Sequence, residues 1–81
     1  MQACKGGSAC VWEGTDFSGP MHVEPQEPCT KEPYQMKSAF NNTANDILAL
    51  SRGRCDSFDV ILRPGKFQAS FAPHSVAKVI R

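Results

Sequence analysis

Histidines and carboxylates are the side chains of this 81-residue chain that could carry acid–base chemistry. The two histidines, His22 and His74, lie far apart and in unrelated contexts. A catalytic nucleophile needs a neighbouring base and a third group that orients this base, and the sequence around neither histidine offers such a set. The eight Asp and Glu residues form no pair with an evident acid–base role. We therefore expect a protein that is not an enzyme and that uses no cofactor.

The cysteines are better suited to disulfide bonds than to a metal site. Cys4, Cys10, Cys29 and Cys55 are separated by five, eighteen and twenty-five residues. Closed zinc sites usually take their ligands in close pairs, and no Cys-x-x-Cys pair occurs in the sequence. Small secreted domains with limited cores are commonly stabilised by disulfides. The even count predicts two bridges, for which three pairings are possible, and a secreted protein.

The overall composition excludes several classes of protein. Nine basic and eight acidic residues give a net charge of +1, whereas a dedicated nucleic-acid-binding protein needs a concentrated basic surface. Apolar residues make up 41% of the chain, too large a share for a disordered segment. Uninterrupted apolar runs are only a few residues long, so we also expect no membrane span.

Glycine and proline divide the chain into short segments that are rich in β-branched and aromatic residues. Strands are predicted at residues 9–13, 21–24, 38–43, 47–51, 58–63, 67–71 and 76–81. Residues 43–50 fit either a short helix or a turn followed by a strand. The sequence of residues 63–66, Arg-Pro-Gly-Lys, is typical of a type II turn and should close a hairpin. Many short strands separated by turns indicate a β-sandwich or barrel.

One segment has the pattern of a hairpin that folds back over itself. Trp12 is followed after four residues by Phe17, and Gly19 comes two positions later. In such a hairpin the second aromatic packs on the first, and the glycine adopts a backbone angle that a Cβ would forbid. A degenerate copy begins 46 residues later, where Phe58 and Gly65 are retained but an arginine replaces the second aromatic.

These hairpins resemble the signature of the βγ-crystallin Greek key. A crystallin-type domain contains two such keys, and segments similar to the closing strand of a key follow at residues 37–42 and 78–81. The resemblance implies an all-β fold with a single βγ-crystallin-like domain over residues 1–81. Its two antiparallel Greek keys, at about 8–43 and 46–81, would pack as a small sandwich with two disulfides.

The placement of the cysteines indicates which group of βγ-crystallin-like proteins the chain resembles. Cys4 and Cys10 enclose a short loop just before the first key, which is similar to the secreted microbial family that includes the small metalloproteinase inhibitors. Cys29 and Cys55 occupy matching places in the two halves, and related secreted members link such positions. The resemblance thus implies the pairs Cys4–Cys10 and Cys29–Cys55. Inhibitory members also have a disulfide-bounded reactive loop in the second half, and this sequence has no cysteine pair there.

Calcium binding is common among microbial βγ-crystallins, whose ligands are an acidic or amide pair followed by hydroxyl groups. The corresponding segments of this chain are residues 33–38 and 74–79, and neither begins with such a pair. Each segment places a lysine, Lys37 or Lys78, where a hydroxyl ligand is expected. An ammonium group cannot coordinate a cation. We therefore expect no calcium and no other metal to bind.

Two polar segments are candidates for contact with a protein partner. Residues 25–33 contain three prolines and a cysteine, which predicts a rigid, exposed connection and argues against a strand interior. Residues 52–54, Arg-Gly-Arg, form a short basic tip before Cys55. The candidate partner-binding residues are Glu27, Pro28, Thr30, Lys31, Arg52 and Arg54.

The resemblance implies a function that requires no catalysis by this chain. We expect a secreted protein inhibitor that occludes the active-site cleft of a secreted protease. The alternatives are a secreted antimicrobial or killer-toxin-like protein and a structural domain at the cell surface. The small net charge counts against a toxin that acts on cell surfaces.

Overall fold

A computed structural model of the chain describes residues 3–25 and 28–80, which form eight β-strands in two four-stranded sheets. The strands are β1 (Ser8–Trp12), β2 (Met21–Glu24), β3 (Thr30–Met36), β4 (Ser38–Asn42), β5 (Ile47–Ser51), β6 (Val60–Leu62), β7 (Phe67–Gln68) and β8 (His74–Ile80). The paired strands run antiparallel. Residues 43–50 thus form a turn and a strand, not a helix. Within the described ranges, no helix is long and apolar enough to cross a lipid bilayer.

The two sheets are interlocked by an exchange of strands between the halves of the chain. The first sheet has the order β2-β1-β4-β7, and the second has the order β3-β8-β5-β6. The first half contributes β1, β2 and β4 to the first sheet and β3 to the second. The second half contributes β5, β6 and β8 to the second sheet and β7 to the first. The predicted all-β sandwich of two antiparallel sheets is confirmed, and the strand exchange is consistent with two Greek keys.

The hydrophobic core lies between the sheets and is asymmetric in side-chain size. Residues that alternate along a strand face the same side, so Leu48 and Leu50 of β5 point inward together with Leu62 of β6. The first sheet presents smaller residues to them, such as Ala9 and Ala39. The large side chains of one sheet thus fill the space that the small side chains of the other leave.

Asn41 is a fully buried polar residue whose side chain ties three segments together. Its amide nitrogen donates to the backbone oxygens of Asp46 and Leu62, each at 2.8 Å. Its amide oxygen accepts from the backbone nitrogen and the hydroxyl of Thr43. All hydrogen-bonding capacity of this amide is therefore satisfied inside the domain. Asn41 also begins an Asn-x-Thr glycosylation sequon, and a glycan on this buried amide is incompatible with the fold.

The first folded hairpin forms as the sequence predicts. The rings of Trp12 and Phe17 meet edge to face with centroids 5.1 Å apart, and Trp12 is only 1% exposed. Gly19 has a φ of 77°, in the left-handed region that favours glycine. Phe17 itself has a φ of 57°, and its backbone nitrogen donates to the hydroxyl of Ser38 at 3.0 Å. This bond to β4 holds the hairpin over the outer face of the first sheet.

The prediction that residues 25–33 lie outside any strand interior is wrong in part. Strand β3 begins at Thr30 and includes Pro33. It lies at the edge of its sheet, and its register with β8 shifts between Lys31 and Met36. Proline lacks the backbone N–H that a ladder needs, but an edge strand with an irregularity tolerates this loss.

The second hairpin lies earlier in the chain than residues 58–65. The connection between β5 and β6 is formed by residues 52–59, while the predicted segment contains β6 and the turn after it. The turn itself is confirmed, since Lys66 donates its backbone N–H to the oxygen of Arg63 at 3.0 Å and Gly65 has a φ of 79°. It joins strands of different sheets, however, and so does not close a hairpin.

Because the second hairpin lies earlier in the chain, Lys37 and Lys78 do not occupy equivalent positions in the two halves. Ser38 pairs with the last residue of β1, and Val76 pairs with the last residue of β5. The position that matches Lys37 is therefore Ser75, and Lys78 lies further along β8. Only Lys37 therefore lies where a hydroxyl ligand is expected, and the absence of calcium binding stays a prediction. In residues 3–25 and 28–80, no group of three or more His, Cys, Asp or Glu side chains is arranged to hold a metal ion.

Candidate functional site

The connection between β5 and β6, residues 52–59, is an exposed segment held in place at several points, and we call it the anchored loop. Its first anchor is Ser51, the last residue of β5, which is 4% exposed. The Ser51 hydroxyl accepts the backbone N–H groups of Gly53 at 3.4 Å and Arg54 at 3.1 Å. A hydroxyl that accepts from residues two and three positions ahead fixes the start of a turn.

The second anchor is a disulfide. Cys55 in the middle of the loop is bonded to Cys29, with the two Cα atoms 5.9 Å apart. Because Cys29 immediately precedes β3, this bond brings Pro28 and Thr30 to the side of the loop. The other two cysteines, Cys4 and Cys10, are also bonded to each other. Both pairings implied by the crystallin resemblance are confirmed.

The third anchor is a buried histidine at the end of the loop. His74 is 1% exposed, and its Nε2 lies 2.7 Å from Oδ1 of Asp59. Its Nδ1 faces the backbone oxygen of Ala72. Both ring nitrogens therefore face hydrogen-bond acceptors within the domain. The hydrogen bond from His74 lowers the pKa of Asp59 below its ordinary value.

The same geometry bears on catalysis. With both ring nitrogens engaged, His74 has no free nitrogen with which to take a proton from a hydroxyl, so it is not placed as a general base. His74 is the first residue of β8 and is buried.

The surface of the anchored loop combines a shallow cavity with two exposed guanidinium groups. The cavity has a volume of about 210 Å³ and is lined by Ser51, Arg52, Gly53, Arg54, Ser57 and Asp59. The side chain of Arg54 is 77% exposed and forms a bidentate ion pair with Asp56. Its Nε donates to Oδ1 at 3.0 Å, and its Nη2 donates to Oδ2 at 2.9 Å. The side chain of Arg52 is 71% exposed, and its Nε lies 3.6 Å from Oδ2 of Asp59.

The candidate residues of the two polar segments come together at one end of the second sheet. Lys31 of β3 and Ser51 of β5 flank the same residue of the intervening strand, Val76. The remaining candidates are joined to this end by the Cys29–Cys55 bond. They are Pro28, Thr30, Arg52 and Arg54, and all are exposed. Glu27 lies outside the described residues.

Sequence reasoning missed the residues that hold the loop. Ser51, Asp59 and His74 support it from beneath, and Asp56 pairs with an arginine on its surface. None belongs to a motif, and the two members of the Asp59–His74 pair are fifteen positions apart. Only the pairing of β5 with β6 and β8 brings them together.

A second cluster of titratable groups closes the edge of the sandwich between β2 and β3. The hydroxyl oxygen of Tyr34 lies 2.7 Å from Oε1 of Glu24 and 2.5 Å from Oε2 of Glu32. His22 stacks on the Tyr34 ring with centroids 3.6 Å apart, and its Nε2 lies 2.8 Å from Oε2 of Glu13. Burial raises the pKa of Glu24, which is 6% exposed, and burial together with the two carboxylates raises that of Tyr34. The cluster thus joins the two sheets through side chains.

No family model, curated protein or solved structure matches this chain.

Proposed function

We propose that this chain is a secreted, non-catalytic inhibitor of proteases and that the anchored loop is the part that enters the active-site cleft. The observation that supports this proposal is a combination of exposure and restraint. The loop projects arginines into solvent while Ser51, the Cys29–Cys55 bond and the Asp59–His74 pair fix its course. A preorganised loop loses little conformational entropy when it binds, which is what a protein that fills a cleft requires.

Membership of the secreted microbial βγ-crystallin-like family that includes the small metalloproteinase inhibitors is part of the proposal. The folded hairpin, the strand exchange and both disulfides support it. The loop lies in the second half, where the inhibitory members of that family have their reactive loop. In this chain a single disulfide to Cys29, just before β3, takes the place of a separate cysteine pair. Two disulfides are compatible with an extracellular protein, and we propose secretion on that ground.

A panel of purified proteases tests the function. The native protein is titrated against a trypsin-type serine protease, a chymotrypsin-type serine protease, a thermolysin-type metalloprotease and a papain-type cysteine protease. We expect inhibition of at least one class at about 1 µM or below. The protein after reduction and alkylation is the matched control and should lose inhibition. If no class is inhibited by the native protein at that concentration, the proposal fails.

A further inference from the structure

The anchored loop carries an arginine whose surroundings differ from those of its neighbours. We infer that Arg54 is the residue that enters the specificity pocket of the target, and that the target is a serine protease that selects arginine through an acidic pocket. This inference rests on the proposed function and specifies its partner.

The side chain of Arg54 is available for such a pocket. It is 77% exposed, and its guanidinium pairs with Asp56, whose side chain is itself 65% exposed. Because both side chains are exposed, solvent screens this pair, and a carboxylate in a protease pocket can offer the same bidentate geometry in exchange. A trypsin-type pocket supplies an aspartate at its base, and a guanidinium pairs with a carboxylate through two parallel hydrogen bonds. The charge of Arg54 therefore complements this pocket, whereas an apolar pocket would have to bury it unpaired.

Arg52 is less suited to the same role, although it is almost equally exposed. Its Nε lies 3.6 Å from Asp59, a carboxylate whose other oxygen is bound to the buried His74. Both arginines line the shallow cavity. The carboxylate beside Arg52 is tied to the core through His74, whereas Asp56, the partner of Arg54, lies within the loop next to Cys55.

The peptide bond between Arg54 and Cys55 is held on both sides. On the amino side, the backbone nitrogen of Arg54 donates to Ser51 at 3.1 Å, and the chain continues into β5. On the carboxyl side, Cys55 is tied to Cys29 at the start of β3. Cleavage of this one bond would therefore leave both new ends attached to the domain.

Such tethering makes attack by the protease reversible. The serine oxygen of the protease adds to the carbonyl carbon of Arg54, the C–N bond to Cys55 breaks, and the nitrogen takes up the proton of the serine hydroxyl. The disulfide retains the released amine beside the acyl-enzyme at a high effective concentration. The amine can then attack the ester, re-form the peptide bond and return the proton to the serine. The chain thus occupies the site and is not consumed.

Inhibition constants for arginine variants test the inference. Wild type is expected to inhibit trypsin strongly and chymotrypsin weakly or not at all. Arg54→Ala should weaken inhibition of trypsin by about 100-fold, while Arg54→Lys should retain most of it. Arg63→Ala is the matched control, since it also removes an exposed arginine but lies outside the anchored loop, and it should change the constant by less than about threefold. Thermal unfolding of each variant confirms that the fold is retained.

The outcomes separate this inference from the function on which it rests. If a metalloprotease or a cysteine protease is inhibited while trypsin is not, the assignment of Arg54 and of the serine protease class is wrong and the inhibitor function stands. Equal inhibition of trypsin by wild type and Arg54→Ala also overturns the inference. Inhibition of no protease overturns both.

Discussion

The phenolic oxygen of Tyr34 lies 2.7 Å from a carboxylate oxygen of Glu24 and 2.5 Å from a carboxylate oxygen of Glu32. A phenol has one proton to donate, so two ionised carboxylates cannot both be satisfied. Both hydrogen bonds can form when Glu24 is protonated. Protonated Glu24 then donates to the phenolic oxygen of Tyr34, and the Tyr34 hydroxyl donates to Glu32. The raised pKa of the buried Glu24 agrees with this assignment. One proton thus links β2 of the first sheet to β3 of the second.

The shared proton predicts that stability falls as pH rises. A raised pKa in the folded state gives stability that is fully present below the ordinary value of 4.5 and is lost as pH rises through the folded value. Glu24→Gln keeps a donor in the same place without an ionisable proton. We expect this variant to match wild type near pH 4.5 and to be the more stable of the two near about pH 8. Denaturant unfolding at both pH values measures the difference.

Glu13→Gln is the control for this experiment, since Glu13 pairs with His22 at the exposed side of the same cluster. It should not reproduce the effect of the Glu24 variant. The acid measurement is kept above 3.8 because the lowered pKa of Asp59 gives stability that is present above this value and is lost as pH falls through the folded value. Equal pH profiles of wild type and Glu24→Gln would show that Glu24 carries no shared proton.

The two disulfides should contribute unequally to stability. The sequence separation is 26 residues for Cys29–Cys55 and 6 for Cys4–Cys10. By loop-closure entropy these bridges stabilise the fold by about 3.5 and about 2.4 kcal/mol. Replacing both cysteines of a pair by serine should therefore lower the free energy of unfolding more for Cys29–Cys55, and urea titration of the two double variants compares them. The reverse ranking would contradict the entropic account.

Removal of the Asn41 side chain should destabilise the domain strongly. Asn41→Ala leaves the buried backbone oxygens of Asp46 and Leu62 without the amide donor that they now share. We expect a loss of about 3 kcal/mol in the free energy of unfolding. Asn45→Ala is the control, because Asn45 is exposed in the turn that follows. A loss at Asn41 no larger than that at Asn45 would rule out this role.

The folded hairpin can be tested with the single tryptophan of the chain as its probe. Phe17 is half-buried and covers Trp12 edge to face. Phe17→Ala should cost about 2 kcal/mol and should shift the fluorescence emission of Trp12 to longer wavelength because water reaches the indole. Val23→Ala, at a site that is 54% exposed, should leave the emission unchanged. An unchanged spectrum for Phe17→Ala would contradict the packing.

The sequence predicts the features of this fold that depend on local pattern. The spacing of Trp12, Phe17 and Gly19 predicts a folded hairpin, and the structure contains this hairpin. In the strand that the sequence predicts at residues 58–63, Val60 and Leu62 likewise lie inside and Ile61 lies outside. The prediction that residues 25–33 lie outside any strand interior failed because it depended on the position of a strand within its sheet. Pro33 is tolerated in β3 because that strand lies at an edge, which no local pattern reveals.

The anchored loop likewise has features that the local sequence predicts and features that depend on contacts between distant residues. Its arginines and Cys55 are visible in the sequence as a basic tip beside a cysteine. Its support by His74 is not, because that contact depends on the pairing of β5 with β8. The second hairpin lies earlier in the chain than the spacing of aromatics and glycine predicts, because its loop is fixed by a disulfide and by hydrogen bonds.

Competition at a protease active site tests the central claim most directly. The protease that the panel identifies is titrated with the native protein in the presence and in the absence of a small inhibitor that occupies the active site. If the anchored loop occludes the cleft, inhibition occurs at about 1 µM or below, and the small inhibitor raises the concentration of protein that is required. The absence of inhibition, or inhibition that the small inhibitor does not affect, would contradict the account.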